Sequence, residues 1–158
     1  MFELEVGRIL HILGVVLWIG GVAMVTTVIL PAIKKLKTPS ERVEFFELVE
    51  GKFQKQALIT TLITGLSGFY MVIKLNAWAR FLDVRFWWMW AMVIVWFIFT
   101  MMLFILEPLF LKKELIEKAK VDPEGTFRRI RKLHYVLLIL SIITIIGAVA
   151  GSHGWFFF

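Results

Sequence analysis

Four stretches of this chain contain no Asp, Glu, Lys or Arg: Ile9 to Ile33, Gln56 to Ile73, Phe86 to Leu106, and Leu133 to Phe158. A helix needs about 20 apolar residues to cross the hydrocarbon core of a bilayer. All four runs suffice, the second near the short limit. Charged residues spread along the chain keep a soluble domain dissolved, and here they fall in blocks between these runs. Composition agrees, since 59% of the 158 residues are hydrophobic and 15% aromatic, above the roughly 45–50% apolar usage of a soluble domain. The implied fold class is an all-α integral membrane protein, a four-transmembrane-helix bundle forming one membrane domain over residues 1–158. The spans are predicted at about 8–33, 55–75, 85–111 and 127–152. The first run far outlasts the roughly 7–15-residue apolar core of a signal peptide, and no small-x-small cleavage site follows, so it reads as a retained helix. Pro31 is expected to close it, and Pro108 to fall near the end of the third, where a missing amide costs little.

The charged residues lie in the connections, and they divide unequally. Arg8 precedes the first run, and Lys74, Arg80 and Arg85 fall between the second and third. The first connection carries Lys34, Lys35, Lys37, Arg42, Lys52 and Lys55, and the third carries Lys112, Lys113, Lys118, Lys120, Arg128, Arg129, Arg131 and Lys132. Fourteen cations on one side against four on the other predict that the first and third connections are cytoplasmic and both termini outside, in the inner (plasma) membrane. Trp78, Trp87, Trp88, Trp90 and Trp155 then form an aromatic belt at the outer interface. The net charge of +6 is distributed to meet a lipid surface rather than nucleic acid.

Thr38-Pro39-Ser40-Glu41 is a capping box with proline at the first helical position, and Gly51 follows ten residues later. This predicts a short amphipathic helix over about 39–50 on the inner interface. Lys112 to Val121 is expected to extend the third helix into water, with Asp122-Pro123-Glu124 capping the fourth.

Chemistry has few places to reside. The absence of Cys excludes disulfides, iron–sulfur clusters, thiolate metal sites, covalently attached haem and a cysteine nucleophile. No GxSxG, HExxH, P-loop or paired-carboxylate pattern marks a hydrolase, kinase or protease. Within the runs stand His11, His134 and His153, and an ionisable group at membrane depth is a functional candidate by default. The predicted topology brings His11 and His153 to similar outer depth. His134 precedes His153 by nineteen residues, about 28 Å of helix, so one cofactor cannot use both from the same chain. His11 has no evident polar partner in the sequence. Gly7, Gly14, Trp18 and Gly21 share its face, leaving room for something flat, whereas the Thr61, Thr64, Gly65, Gly68 stripe of the second helix reads as helix packing. Gly147, Ala150, Gly151 and Gly154 surround the approach to His153.

These groups suit haem b, with His11 and His153 as axial ligands, His134 ranking behind them, and Gly14 and Trp18 lining the site. Lys74 and Arg85 are placed to pair with propionates. Copper is the competing cofactor, with Met89 and Met92 beside the histidines. Glu107, level with His134 and the Arg128, Arg129, Arg131 cluster, reads as a member of a buried ion pair tying the third and fourth helices, the alternative being a proton path or a second cofactor near His134.

His11-Ile12-Leu13-Gly14-Val15-Val16-Leu17-Trp18-Ile19-Gly20-Gly21 resembles an H-x-x-G-x-x-x-W-x-G-G signature in a loose group of small membrane proteins. The group comprises the copper resistance protein D family, the membrane protoporphyrinogen oxidase family and the membrane domain of cytochrome-linked urate oxidases. Phe53, Ala57 and Thr64-Gly65 are similar to the F-x-x-x-A…T-G segment of copper resistance protein D. The resemblance implies a four-helix core with haem or copper chemistry at His11. The oxidase family pairs its histidine with a lysine of a later helix, for which Lys74 is the candidate. The reading is of a haem-binding protein in electron transfer, haem handling or haem sensing, with a possible oxidoreductase activity and a homodimer, in which two copies share a haem, both compatible. The alternatives are a copper-transport or resistance protein and a structural subunit without cofactor.

Overall fold

The computed structural model describes residues 2–36 and 38–156. Lys37, one of the fourteen cations, and Phe157 and Phe158, which close the fourth run, lie outside them. Four helices are long and apolar enough to cross a membrane: Phe2–Lys35, Pro39–Lys74, Val84–Leu109 and Pro123–Ser152. The chain is therefore an all-α, multi-pass membrane protein, and no strand occurs among the described residues.

The first span is α1 (Phe2–Met24), a π turn (Val25–Ile29) and α2 (Leu30–Leu36) in unbroken succession. Pro31 does not close the helix as its type suggested. Lacking an amide hydrogen, it cannot bond the carbonyl four residues back, and a turn with the wider π spacing absorbs that defect. Pro108 is accommodated the same way inside a π stretch, Met102–Leu111, which follows α4 (Trp87–Met101) in the third span.

The second span, α3 (Pro39–Lys74), is one helix of 36 residues. The expected interfacial segment is helical and starts as predicted: Thr38 accepts from the Glu41 amide, and the Glu41 carboxylate returns to the Thr38 amide at 3.0 Å. It does not end at Gly51, however, but runs on into the membrane. Glycine costs a helix interior only about 1 kcal/mol, and the buried stripe of Val43, Phe46 and Ala57, with half-buried Glu50 and Phe53 between, continues at helical spacing across it. The connection between the second and third spans contains two short 3₁₀ turns, Ala77–Leu82 and Val84–Phe86. α5 (Lys112–Val121) prolongs the third span, and Asp122 caps α6 (Pro123–Ser152) by accepting from the Gly125 amide at 2.8 Å.

Two apolar clusters hold the spans together. One joins Trp18, Ile19 and Val22 to Val95, Phe99, Leu137 and Leu138. The other, the Phe127 cluster, joins Val25, Leu30 and Ile33 to Val43, Phe46, Phe127 and Ile130. Large apolar side chains such as Ile12, Val16, Leu66, Phe97 and Ile146 point outward, where a bilayer covers them. Trp88 departs from the belt reading: it is buried, its ring filling the step at Gly151, while Trp87 fills the step at Gly147. Trp78, Trp90 and Trp155 are exposed.

Candidate functional site

His11 sits one turn beyond Gly7 and one turn before Gly14, on the face of α1 that packs against α3. The two helices run antiparallel and close, and their small residues are the reason. A Cβ on Gly7 would meet the Tyr70 ring at 3.1 Å, one on Gly14 would lie 2.4 Å from Thr64 Oγ1, and one on Gly21 would lie 2.0 Å from the Phe53 ring. The space beside Gly14, expected to admit a flat cofactor, is thus occupied by Thr64. The two stripes meet where Gly14 takes Thr64 and where Gly68 takes His11, while Gly65 seats the Trp96 ring of the third span, and packing accounts for these contacts.

That close approach supplies His11 with the polar partners its own helix lacks. Nδ1 lies 2.9 Å from the Thr64 carbonyl and 3.3 Å from Ser67 Oγ. A carbonyl only accepts, and the Ser67 hydroxyl donates to Ile63 O at 2.5 Å, so Nδ1 carries the ring hydrogen and donates to Thr64 O. Nε2 of the neutral ring is then an unprotonated lone pair. A histidine that ligates a metal has this arrangement, its second nitrogen donating to a backbone carbonyl that fixes the tautomer. Of the two partner residues, Thr64 stands in a stripe whose sequence pattern reads as packing alone, and Ser67 lies about one turn further along the same helix. Their carbonyl and hydroxyl serve both purposes.

Next to His11, along the N-terminal half of α1 and the C-terminal part of α3, lies a laterally open groove of about 530 Å³ that His11 itself does not line. Phe2, Val6, Gly7 and Leu10 line one wall and Leu66, Ser67 and Tyr70 the other. At its mouth Lys74 Nζ bonds Glu3 at 3.0 Å, and the Tyr70 hydroxyl donates to the same carboxylate at 3.3 Å. Lys74 thus has a carboxylate partner already, one that the sequence did not single out. Arg85 likewise pairs with Asp83, Nη2 to Oδ2 at 2.6 Å, between the second and third spans. The hydrogen bonds from Arg85 hold the half-buried Asp83 carboxyl below the usual carboxylate range.

Trp18, two turns along from His11, is 3% exposed and stands edge-on to Phe99 with centroids 4.9 Å apart. Its indole Nε1 is buried without a hydrogen-bond partner among the described residues. His153, which ends the fourth span, is exposed, and its Nδ1 bonds Val149 O of its own helix at 2.8 Å. His134 Nδ1 bonds Ile130 O at 3.0 Å, and its Nε2 faces Glu50. Met89 is buried. Among the described residues, no three His, Asp or Glu side chains are grouped so as to hold a metal ion. No protein-family model matches the chain, nor does any curated protein or solved structure.

Proposed function

We propose that the protein binds haem b through His11 in the outer half of the bundle and acts in electron transfer, haem handling or haem sensing. The observation that carries this reading is the His11 ring, whose Nδ1 is committed to the Thr64 carbonyl, leaving Nε2 as the ligating nitrogen. The donor set suits a porphyrin better than bare copper. A porphyrin brings four nitrogens of its own and asks the protein for one or two more, whereas a bare ion needs several side chains to converge. Bound there, haem would supply one-electron redox chemistry. The chain's own contribution is to orient the imidazole by way of Thr64 and Ser67 and to offer apolar walls in the neighbouring groove. Lys74 and Tyr70 stand at the groove's mouth, where a propionate would compete with Glu3 for them. This reading needs one protein ligand and leaves His134 out.

Absorption spectra of protein purified in detergent after expression with haem supplied test it. A Soret band is expected that disappears in His11→Ala and survives His134→Ala. A colourless wild-type protein, or a band unchanged in His11→Ala, refutes the reading. His153 joins as second axial ligand if His153→Ala alters the reduced spectrum.

We also infer that the first and third connections face the cytoplasm. Its support is the fourteen-to-four division of Lys and Arg. A reporter fused after Phe158 should be active only on the outer side of the inner membrane, and activity in the cytoplasm would reverse the assignment.

A further inference from the structure

The opposite end of the bundle contains a second polar arrangement, which the haem reading does not use. His134 of α6 faces Glu50 of α3, with Nε2 3.8 Å from Oε1 and the two side chains only 16% and 30% exposed. The Phe46 ring stands edge-on to the imidazole, 5.4 Å between centroids. Because Nδ1 lies 3.0 Å from the Ile130 carbonyl, it is the nitrogen that carries the hydrogen in a neutral ring. Nε2 then turns a lone pair toward a carboxylate oxygen, which is also an acceptor. Two acceptors held at this range and screened from water repel one another unless a proton lies between them.

The neighbours deepen the demand for positive charge. Glu47, one turn earlier on α3, and Glu107, in the π stretch of the third span, are close enough to act electrostatically on Glu50. From the first span this end is walled by Val25, Leu30 and Ile33, none of which titrates. On the fourth span Phe127 and Ile130 complete the wall. Arg42, a cation of the same helix, bonds Glu124 at 2.9 Å.

We propose that Glu50 and His134 form a proton-binding site at the inner membrane interface, the two side chains holding one proton in common. The proton comes from water and returns to it, with no other bond made or broken. While it is held, the pair is a carboxylate with an imidazolium, or a carboxylic acid donating to Nε2, and either form attracts. When it leaves, the Glu50 carboxylate is left against the lone pair of a neutral imidazole. The second and fourth spans then lose a tie at this end of the bundle. The site is independent of haem and stands whether or not His11 ligates iron.

Two measurements on the full chain in detergent locate the proton: infrared absorption of protonated carboxyl groups and ¹⁵N resonances of the histidine rings. Near neutral pH, one of two signals is expected, a protonated-carboxyl band lost in Glu50→Gln or an imidazolium signal assigned to His134. Alkaline titration should abolish it. The His134 resonance is assigned by its loss in His134→Gln, or by elimination in His11→Gln and His153→Gln should that variant fail to fold. The wild-type melting temperature should fall by about 3 °C between about pH 6 and about pH 9, with a flatter profile in Glu50→Gln. The sign follows from a group that keeps its proton in the folded state: its stabilising contribution is present at low pH and lost as pH rises. A neutral His134 beside an ionised Glu50 near neutral pH overturns the proposal. So does a Glu50→Gln profile that superimposes on that of the wild type.

Discussion

Replacing Gly14 by Leu is expected to cost about 3 kcal/mol or more, the upper range for forcing a larger side chain into a packed interface. A Cβ there already lies 2.4 Å from Thr64 Oγ1 and 3.2 Å from the Thr60 carbonyl. A rotamer change of Thr64 relieves the first contact. The second is backbone, so α1 and α3 must move apart. Thermal unfolding in detergent measures the loss, and Gly20→Leu is the control, because nothing lies within 4 Å of a Cβ at that position. Gly20→Leu should leave stability within about 0.5 kcal/mol of wild type or raise it slightly, since leucine is the better helix former. Equal melting temperatures for the two variants would show that the glycine stripe does not set the approach of these helices. Separation should also break the bond from His11 Nδ1 to Thr64 O. Haem affinity, if His11 is the ligand, is therefore expected to fall with stability in the Gly14 variant.

The second large effect belongs to the Phe127 cluster. Phe127 is 1% exposed, packed with Val43, Phe46 and Ile130, and the Arg42 guanidinium lies 6.0 Å from its ring centroid. Truncating a buried phenylalanine to alanine costs about 3–5 kcal/mol, through lost contacts and the cavity left behind. Phe127→Ala should therefore lower the melting temperature far more than Phe97→Ala, whose ring is 53% exposed on the lipid-facing surface. Phe127→Leu should recover most of the loss. If Phe97→Ala proved the more damaging, the Phe127 cluster would not be the main tie between the second and fourth spans. Arg42 is shielded to 15% exposure while bonded to Glu124, so the same truncation should loosen that ion pair and increase the exposure of both groups.

The sequence disclosed what depends on neighbours along the chain and withheld what depends on neighbours across it. Four uncharged runs are visible one residue at a time, and so are the capping box at Thr38 and the aspartate cap at Asp122. The histidine at 11 was visible too, but its partner is a backbone carbonyl 53 positions away, and carbonyls have no sequence signature. Glu50 escaped notice because Gly51 appeared to end its helix, which put it in a connection. Once α3 is continuous, Glu50 falls on the buried stripe with Phe46 and Phe53 and meets His134. Lys74 and Arg85 were legible as cations at the outer edge. Their pairing with Glu3 and Asp83 was not, although Asp83 stands only two residues from Arg85, because charge counting by connection looks at lysine and arginine alone.

The π turn at Val25–Ile29 divides the first span into two separately indexed rods. Before it, Gly7, Gly14 and Gly21 recur every seven residues and mesh with α3. After it, Leu30 and Ile33 mesh with the Phe127 cluster. A widened turn takes up one extra residue, and in a 3.6-residue helix one residue is about 100° of rotation. The turn therefore works as a fixed phase shifter. It lets α1 keep the spacing that seats His11 while α2 presents a different azimuth to the fourth span. Removing one residue there would not shorten a loop; it would dial one half of the membrane helix around by more than a quarter-turn relative to the other.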